Sequence, residues 1–130
     1  MKKTTVLLIE DNEQNRYLDT FLLEAHNYTV ISACDGAQGI DLAERILPHL
    51  ILLDIQLPTM DGYTVARKMR NNPRLKHIPI VAVTSYAMSG DKERALASGC
   101  NGYIEKPIVP ETFVTEIEAY LKDPRREGAP

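Results

Sequence analysis

Three runs, Val6-Leu7-Leu8-Ile9, Leu50-Ile51-Leu52-Leu53 and Ile80-Val81-Ala82-Val83, are apolar at every position. Side chains of a strand alternate between its two faces, so an uninterrupted apolar run has no face to offer water. Such strands fit a parallel sheet with helices packed on both sides. That requirement constrains the fold more than any other feature of the chain. Strands are expected over Thr4 to Glu10, Tyr28 to Ala33, Leu50 to Asp54, Ile78 to Thr84 and Gly102 to Lys106.

The stretches between them read as amphipathic helices, and the alternation repeats five times without a shift in composition, which predicts one α/β domain. Leu18, Phe21, Leu22 and Ala25 recur at helical spacing and are expected to face the core from the first helix. Asp35 suits the cap of a second, with Ile40, Ala43 and Leu47 inward and Pro48 as its stop. Asp61 suits the cap of a third carrying Val65 and Met69, and Asn71-Asn72-Pro73 ends it. Ser89 is expected to open a fourth that Gly99 closes, and Pro110 a fifth with Val114, Ile117 and Leu121 inward. The domain is thus expected over residues 1–122, followed by a polar, frayed tail over residues 123–130.

Composition narrows the function classes. The chain has 130 residues, a net charge of −3 and two cysteines. An acidic balance argues against direct binding of nucleic acid or an anionic membrane surface. The apolar run near the N-terminus is too short for a secretory signal or a membrane span, so a cytoplasmic location is expected. Cys34 and Cys100 lack metal-ligand spacing and are expected to be buried or half-buried thiols.

In an open parallel sheet, ligands sit beyond the carboxyl ends of the strands, where the winding reverses. Those ends carry Glu10 and Asp11 after the first strand, Asp54 on the third, Thr84 on the fourth and Lys106 on the fifth. The second strand ends in Ala33 and Cys34, which offer no chemistry. A strand order of 2-1-3-4-5 explains that silence, because it puts the second strand at an edge and lets the other four converge. Two carboxylates about 4 Å apart repel by roughly 4 kcal/mol at an effective dielectric near 20, so three of them need cations. Lys106 supplies one charge, and a hard divalent ion with oxygen ligands supplies the rest. Mg²⁺ takes one or two carboxylates and completes its shell with water and phosphate oxygens, so the site predicts a phosphoryl ligand.

Four segments, Ile9-Glu10-Asp11-Asn12, Leu53-Asp54-Ile55-Gln56-Leu57-Pro58-Thr59-Met60-Asp61-Gly62, Val83-Thr84-Ser85 and Tyr103-Ile104-Glu105-Lys106-Pro107, together resemble the response-regulator receiver family. The resemblance spans residues 4–122 and is strongest to stand-alone regulators of the DivK type. It implies a flavodoxin-like five-stranded doubly wound sheet and a phosphoprotein switch of two-component signalling, a phosphorelay component and not a classical enzyme. It further implies that Asp54 is the phosphate acceptor, assisted by Thr84 and Lys106. Asp11, Asp54 and the backbone carbonyl of Gln56 would ligate Mg²⁺, which Mn²⁺ can replace, with Glu10 holding the ion through water. Thr84 and Tyr103 would be the switch pair, and Lys106-Pro107 a cis peptide.

The implied donor is a histidine kinase or a histidine phosphotransfer protein, and the implied target a protein that docks on the fourth helix, fifth strand and fifth helix of a monomer. Gln56 and Tyr86 are expected to flank the route of water to the phosphoryl group, with bulky Tyr86 slowing its loss. The rival readings are a receiver that docks without phosphate and a receiver cut from a hybrid kinase. The Met1 start and short tail favour a stand-alone chain over the second. A nucleotide or flavin binder would need a glycine-rich phosphate loop after the first strand, where Glu10 and Asp11 would repel the ligand. An aspartate-dependent phosphatase would need an acid where Gln56 stands.

Overall fold

The computed structural model describes residues 4–85 and 90–122. Five strands alternate with five helices: β1 (Thr5–Ile9), α1 (Glu13–Ala25), β2 (Thr29–Ala33), α2 (Gly36–Ile46), β3 (Leu50–Asp54), α3 (Gly62–Arg70), β4 (Ile80–Thr84), α4 (Asp91–Ala97), β5 (Gly102–Glu105) and α5 (Pro110–Lys122). The sheet is parallel throughout, in the order β2-β1-β3-β4-β5. The order anticipated from the silent end of the second strand is therefore the one found. The expected tail, and the Ser89 start of the fourth helix, lie outside the described residues.

Alternation along the apolar strands divides the core into two layers. Leu7, Ile9, Ile51, Leu53, Ile80 and Ala82 pack on one side against Ala43, Val65, Met69 and Ala95 of α2, α3 and α4. Val6, Leu8, Leu50, Leu52, Val81 and Val83 pack on the other against Leu23 of α1 and Phe113, Val114 and Ile117 of α5. The caps fall where their residue types require: the carboxylate of Asp35 accepts from Gln38 N and that of Asp61 from Thr64 N. The cap of α1 is Asn12, whose side chain accepts from Asn15 N, which leaves Glu10 and Asp11 for other work.

Four expectations need correction. On α1, Leu18 and Phe21 are 40% and 59% exposed and Ala25 is exposed too, whereas Leu23 and Asp19 are buried. The helix is turned by about one residue, roughly 100°, from the face its apolar stripe suggests, because a carboxylate occupies an inward position and disguises it. Leu47 is 46% exposed, since it serves as the left-handed cap of α2 at φ 48° and so points away from the sheet. Cys34 is exposed, having passed the last paired residue of the edge strand, while Cys100 is buried as expected. Finally, β5 ends at Glu105, so Lys106 stands one residue past the strand.

One glycine fixes the turn that presents the central acid. A Cβ on Gly62 would lie 2.7 Å from both the carbonyl oxygen of Asp54 and Cα of Ile55. These are backbone atoms that cannot swing aside. Gly62→Ala is therefore expected to lower stability by about 1–3 kcal/mol, read as a lower urea midpoint. An unchanged midpoint would show that the turn after β3 yields freely.

Candidate functional site

The strand ladder carries its geometry one residue beyond the strands themselves. Glu10 N–H donates to Ala33 O at 3.0 Å, Ile55 N–H to Val83 O at 3.1 Å and Lys106 N–H to Thr84 O at 2.8 Å. Glu10, Asp54, Thr84 and Lys106 are thereby held in register at the carboxyl edge of the sheet, as the strand order requires. The Lys106-Pro107 bond is cis, as expected.

Within this crevice the Lys106 ammonium lies 2.7 Å from Glu10 Oε1 and 3.4 Å from Asp54 Oδ2. Both acids are almost fully enclosed, at 2% and 4% exposure, whereas Asp11 stands at the exposed rim. Glu10 Oε2 also accepts from Asn12 N at 3.2 Å, and Asp54 Oδ1 from Gln56 N at 3.1 Å. Arg16, one turn into α1, donates from Nη1 to the carbonyl of Glu10 at 2.9 Å and braces the turn that presents the acids.

The charges do not balance without help. Burial and the neighbouring Glu10 carboxyl push Asp54 up to about 7. Burial also works to raise Glu10, but its hydrogen bonds to Asp54 and Lys106 outweigh that and hold it below its ordinary value. Burial opposes the charge of Lys106, yet the bond to Glu10 and the field of Asp54 raise it. One ammonium thus serves two enclosed carboxyls, with a third acid at the rim. Oxygens of Glu10, Asp11 and Asp54 all lie within 4.8 Å of one another. Three hard oxygen donors that close, short of positive charge and open to solvent on one side, fit a small divalent cation.

Thr84 is buried to 1% exposure at the end of β4, and its hydroxyl accepts a hydrogen bond from Nε2 of Gln56. Tyr103 is half-buried on β5 and packs against the core layer of α2, α3 and α4. Tyr86 lies outside the described residues. Glu10, Asp11, Asp54, Gln56, Thr84 and Lys106 gather at the carboxyl end of the sheet, whereas Tyr103 sits within β5 opposite Ala82.

Several contributors were not visible from strand ends. Arg16 and Asn12 act through backbone groups of the turn after β1, and only their nearness to the acid pair hints at them. The side chain of Gln56 binds Thr84 and Ser85, whereas sequence reasoning reached only its backbone carbonyl and its place beside the acceptor. Asp19 lines a cavity of about 390 Å³ with Asn15, Leu18, Ser85, Lys106 and Pro107.

Comparison with known proteins agrees with this geometry. The family model of the response regulator receiver domain matches residues 6–118. The polar-differentiation response regulator DivK of Brucella anthropi is 44% identical over 119 residues, covering 92% of this chain and 97% of that protein. DivK of Brucella abortus matches at the same identity and coverage. Among solved structures, the receiver domain of a sensor histidine kinase from Pseudomonas aeruginosa carries a magnesium ion in its active site cleft. It is similar with a TM-score of 0.87 and 32% identity, over 94% of this chain and 100% of that one. A CheY-like receiver domain protein from Methanospirillum hungatei gives a TM-score of 0.87 at 26% identity, over 98% and 100% of the two chains. With its strand order, its acid cluster and its lysine all accounted for in this way, the chain belongs to the response regulator receiver family of two-component signalling.

Proposed function

We propose that Asp54 is the phosphoacceptor of this receiver, and that its phosphorylation by a histidine kinase or histidine phosphotransfer protein changes the surface formed by α4, β5 and α5. The observation that carries this reading is the placement of Lys106, 2.7 Å from Glu10 and 3.4 Å from Asp54, above acids that sit within 4.8 Å of one another. An Asp54 carboxylate oxygen attacks the phosphorus of a phosphohistidine. The O–P bond forms as the P–N bond breaks, and the imidazole leaves with the electron pair. Such transfers depend on positioning and charge more than on acid or base chemistry.

Mg²⁺, when bound, would offset charge on the phosphoryl oxygens, held by Asp11, Asp54 and the Gln56 carbonyl, with Glu10 behind a water. Lys106 would pair with the new dianion, and Thr84 would turn its hydroxyl toward it. The same groups would assist the later loss of the phosphoryl group to water. Tyr103 would follow Thr84 as the switch aromatic. A cavity of about 380 Å³ between β5 and α5, lined by Tyr103, Val109, Thr112 and Phe113 among others, supports a target surface there. Val109 on its rim is 53% exposed. Exposed Tyr17, Leu18 and Phe21 of α1 offer apolar contact to the donor protein. A cytoplasmic monomer belongs to the same reading.

The rival in which the receiver docks without phosphate has no use for an enclosed acid pair with its own ammonium. The test is mass spectrometry of the intact protein after incubation with acetyl phosphate and Mg²⁺. Wild type is expected to gain one phosphoryl group and Asp54→Asn none. Equal incorporation in the two would reject Asp54 as acceptor.

A further inference from the structure

Gln56 connects the acid cluster to the end of β4 through both of its amide groups. Its backbone N–H donates to Asp54 Oδ1. Its side chain then crosses to β4, where Nε2 donates to Thr84 Oγ1 and Oε1 accepts from both the N–H and the hydroxyl of Ser85, each at 3.3 Å. One carboxamide therefore engages the Thr84 hydroxyl and both Ser85 donors, and it does so from the residue two places after the central acid.

We propose that the Gln56 carboxamide is a latch, a neutral stand-in for the phosphoryl group that holds Thr84 and Ser85 in the resting arrangement until an anion forms on Asp54. This rests on the reading of Asp54 as the phosphoacceptor. Three donors that would suit phosphoryl oxygens are occupied in the resting protein: Ser85 N–H, Ser85 Oγ–H and Gln56 Nε2–H. Their present partners are a neutral amide oxygen and a hydroxyl. Hydrogen bonds to an anion are roughly twice as strong as neutral ones, so a phosphoryl group displaces the amide oxygen. Until then the amide oxygen keeps the end of β4 from turning inward unprompted. Gln56 is thus a positioning residue acting through Thr84 and Ser85. A ligand that favours one of two states must first overcome whatever favours the other, so removing the latch raises apparent affinity for the anion.

Beryllofluoride with Mg²⁺ serves as the phosphoryl mimic, with binding measured by calorimetry and the Ser85 amide followed by ¹H–¹⁵N NMR. Gln56→Leu removes every side-chain hydrogen bond and is expected to bind the mimic about three- to tenfold more tightly. Its Ser85 resonance without the mimic should already lie part of the way toward the bound position. Gln56→Ala should repeat both effects. Gln56→Glu keeps the shape but places a carboxylate on the Ser85 donors and repels the anion, so it should bind at least about tenfold more weakly. A merely structural role for Gln56 would move the urea midpoint and leave these opposite shifts undetected. If wild type binds the mimic and Asp54→Asn does not, yet Gln56→Leu matches wild type or binds more weakly, the latch alone is overturned. Failure of wild type to bind, or equal binding by Asp54→Asn, overturns the Asp54 reading and the latch with it.

Discussion

Replacing Asp19 with valine is expected to stabilise the protein by up to about 4 kcal/mol at pH 8, and by far less at pH 4. Asp19 lies on the inward face of α1 with 4% of its surface exposed. Burial, then the nearby charge of Glu10, push its carboxyl from an ordinary 3.8 to about 7, against a smaller opposing pull from Lys106. A carboxyl that holds its proton more tightly in the folded chain than in the unfolded one favours folding while both forms are protonated, below about pH 4. That contribution drains away as the pH climbs to about 7, where the folded form also ionises, and the loss is complete above it. Each tenfold difference in proton affinity is worth about 1.4 kcal/mol, which gives the figure above. The cavity beside Asp19 leaves room for the valine methyls. Urea unfolding of wild type and Asp19→Val at pH 4 and pH 8 measures the difference directly. Asp19→Asn, which removes charge and keeps polarity, should reproduce the pH dependence of the gain. A gain that is the same at both pH values would mean that the charge of Asp19 does not burden the fold.

The opposite result is expected at Arg70, where Arg70→Leu should cost about 3 kcal/mol or more. Its guanidinium, half-buried at the end of α3, donates to the carbonyls of Gly99 at 2.7 Å, Ile78 at 2.9 Å, Lys76 at 3.2 Å and Leu75 at 3.4 Å. It also donates to Asn101 Oδ1 at 2.6 Å, an oxygen that accepts from Ile80 N as well. Burial lowers its proton affinity, so keeping the charge inside the fold carries a cost. The network ties the segment after α3 to the starts of β4 and β5, whose far ends carry Thr84 and Lys106. Leucine would leave several carbonyls without donors. Arg70→Lys should restore less than half the loss, because one ammonium cannot span acceptors arranged around a planar fork. A lysine variant with the wild-type urea midpoint would refute this account.

The parts of this molecule legible in the sequence were those where one physical demand acts alone. Val6 to Ile9, Leu50 to Leu53 and Ile80 to Val83 had to be enclosed strands, because no other element accepts such runs without exposing them. Strand ends then pointed to Glu10, Asp54, Thr84 and Lys106, since topology alone determines that edge. Helix faces were less readable. On α1 the stripe of Leu18 and Phe21 competes with the true inward pair Asp19 and Leu23, and hydrophobicity cannot rank a buried carboxylate as inward. Arg70 was equally hidden: an arginine near a helix end reads as a solvated terminus, and only the fold brings Gly99 and Asn101 to it. Gln56 illustrates the third difficulty. Its backbone role is only what the family resemblance implies, and its side chain acts on residues 28 and 29 positions away.

Cys34 sits just past the edge strand, on the same rim of the sheet as the acids, and is exposed, while Cys100 is enclosed with its thiol pushed up to about 12 by burial. Only the thiolate attacks electrophiles, and an enclosed thiol with so weak an acidity presents almost none at neutral pH. A maleimide dye or nitroxide therefore attaches at one place on the unaltered protein. Fluorescence or electron-spin distances measured from that point can follow a bound partner without a single engineered residue.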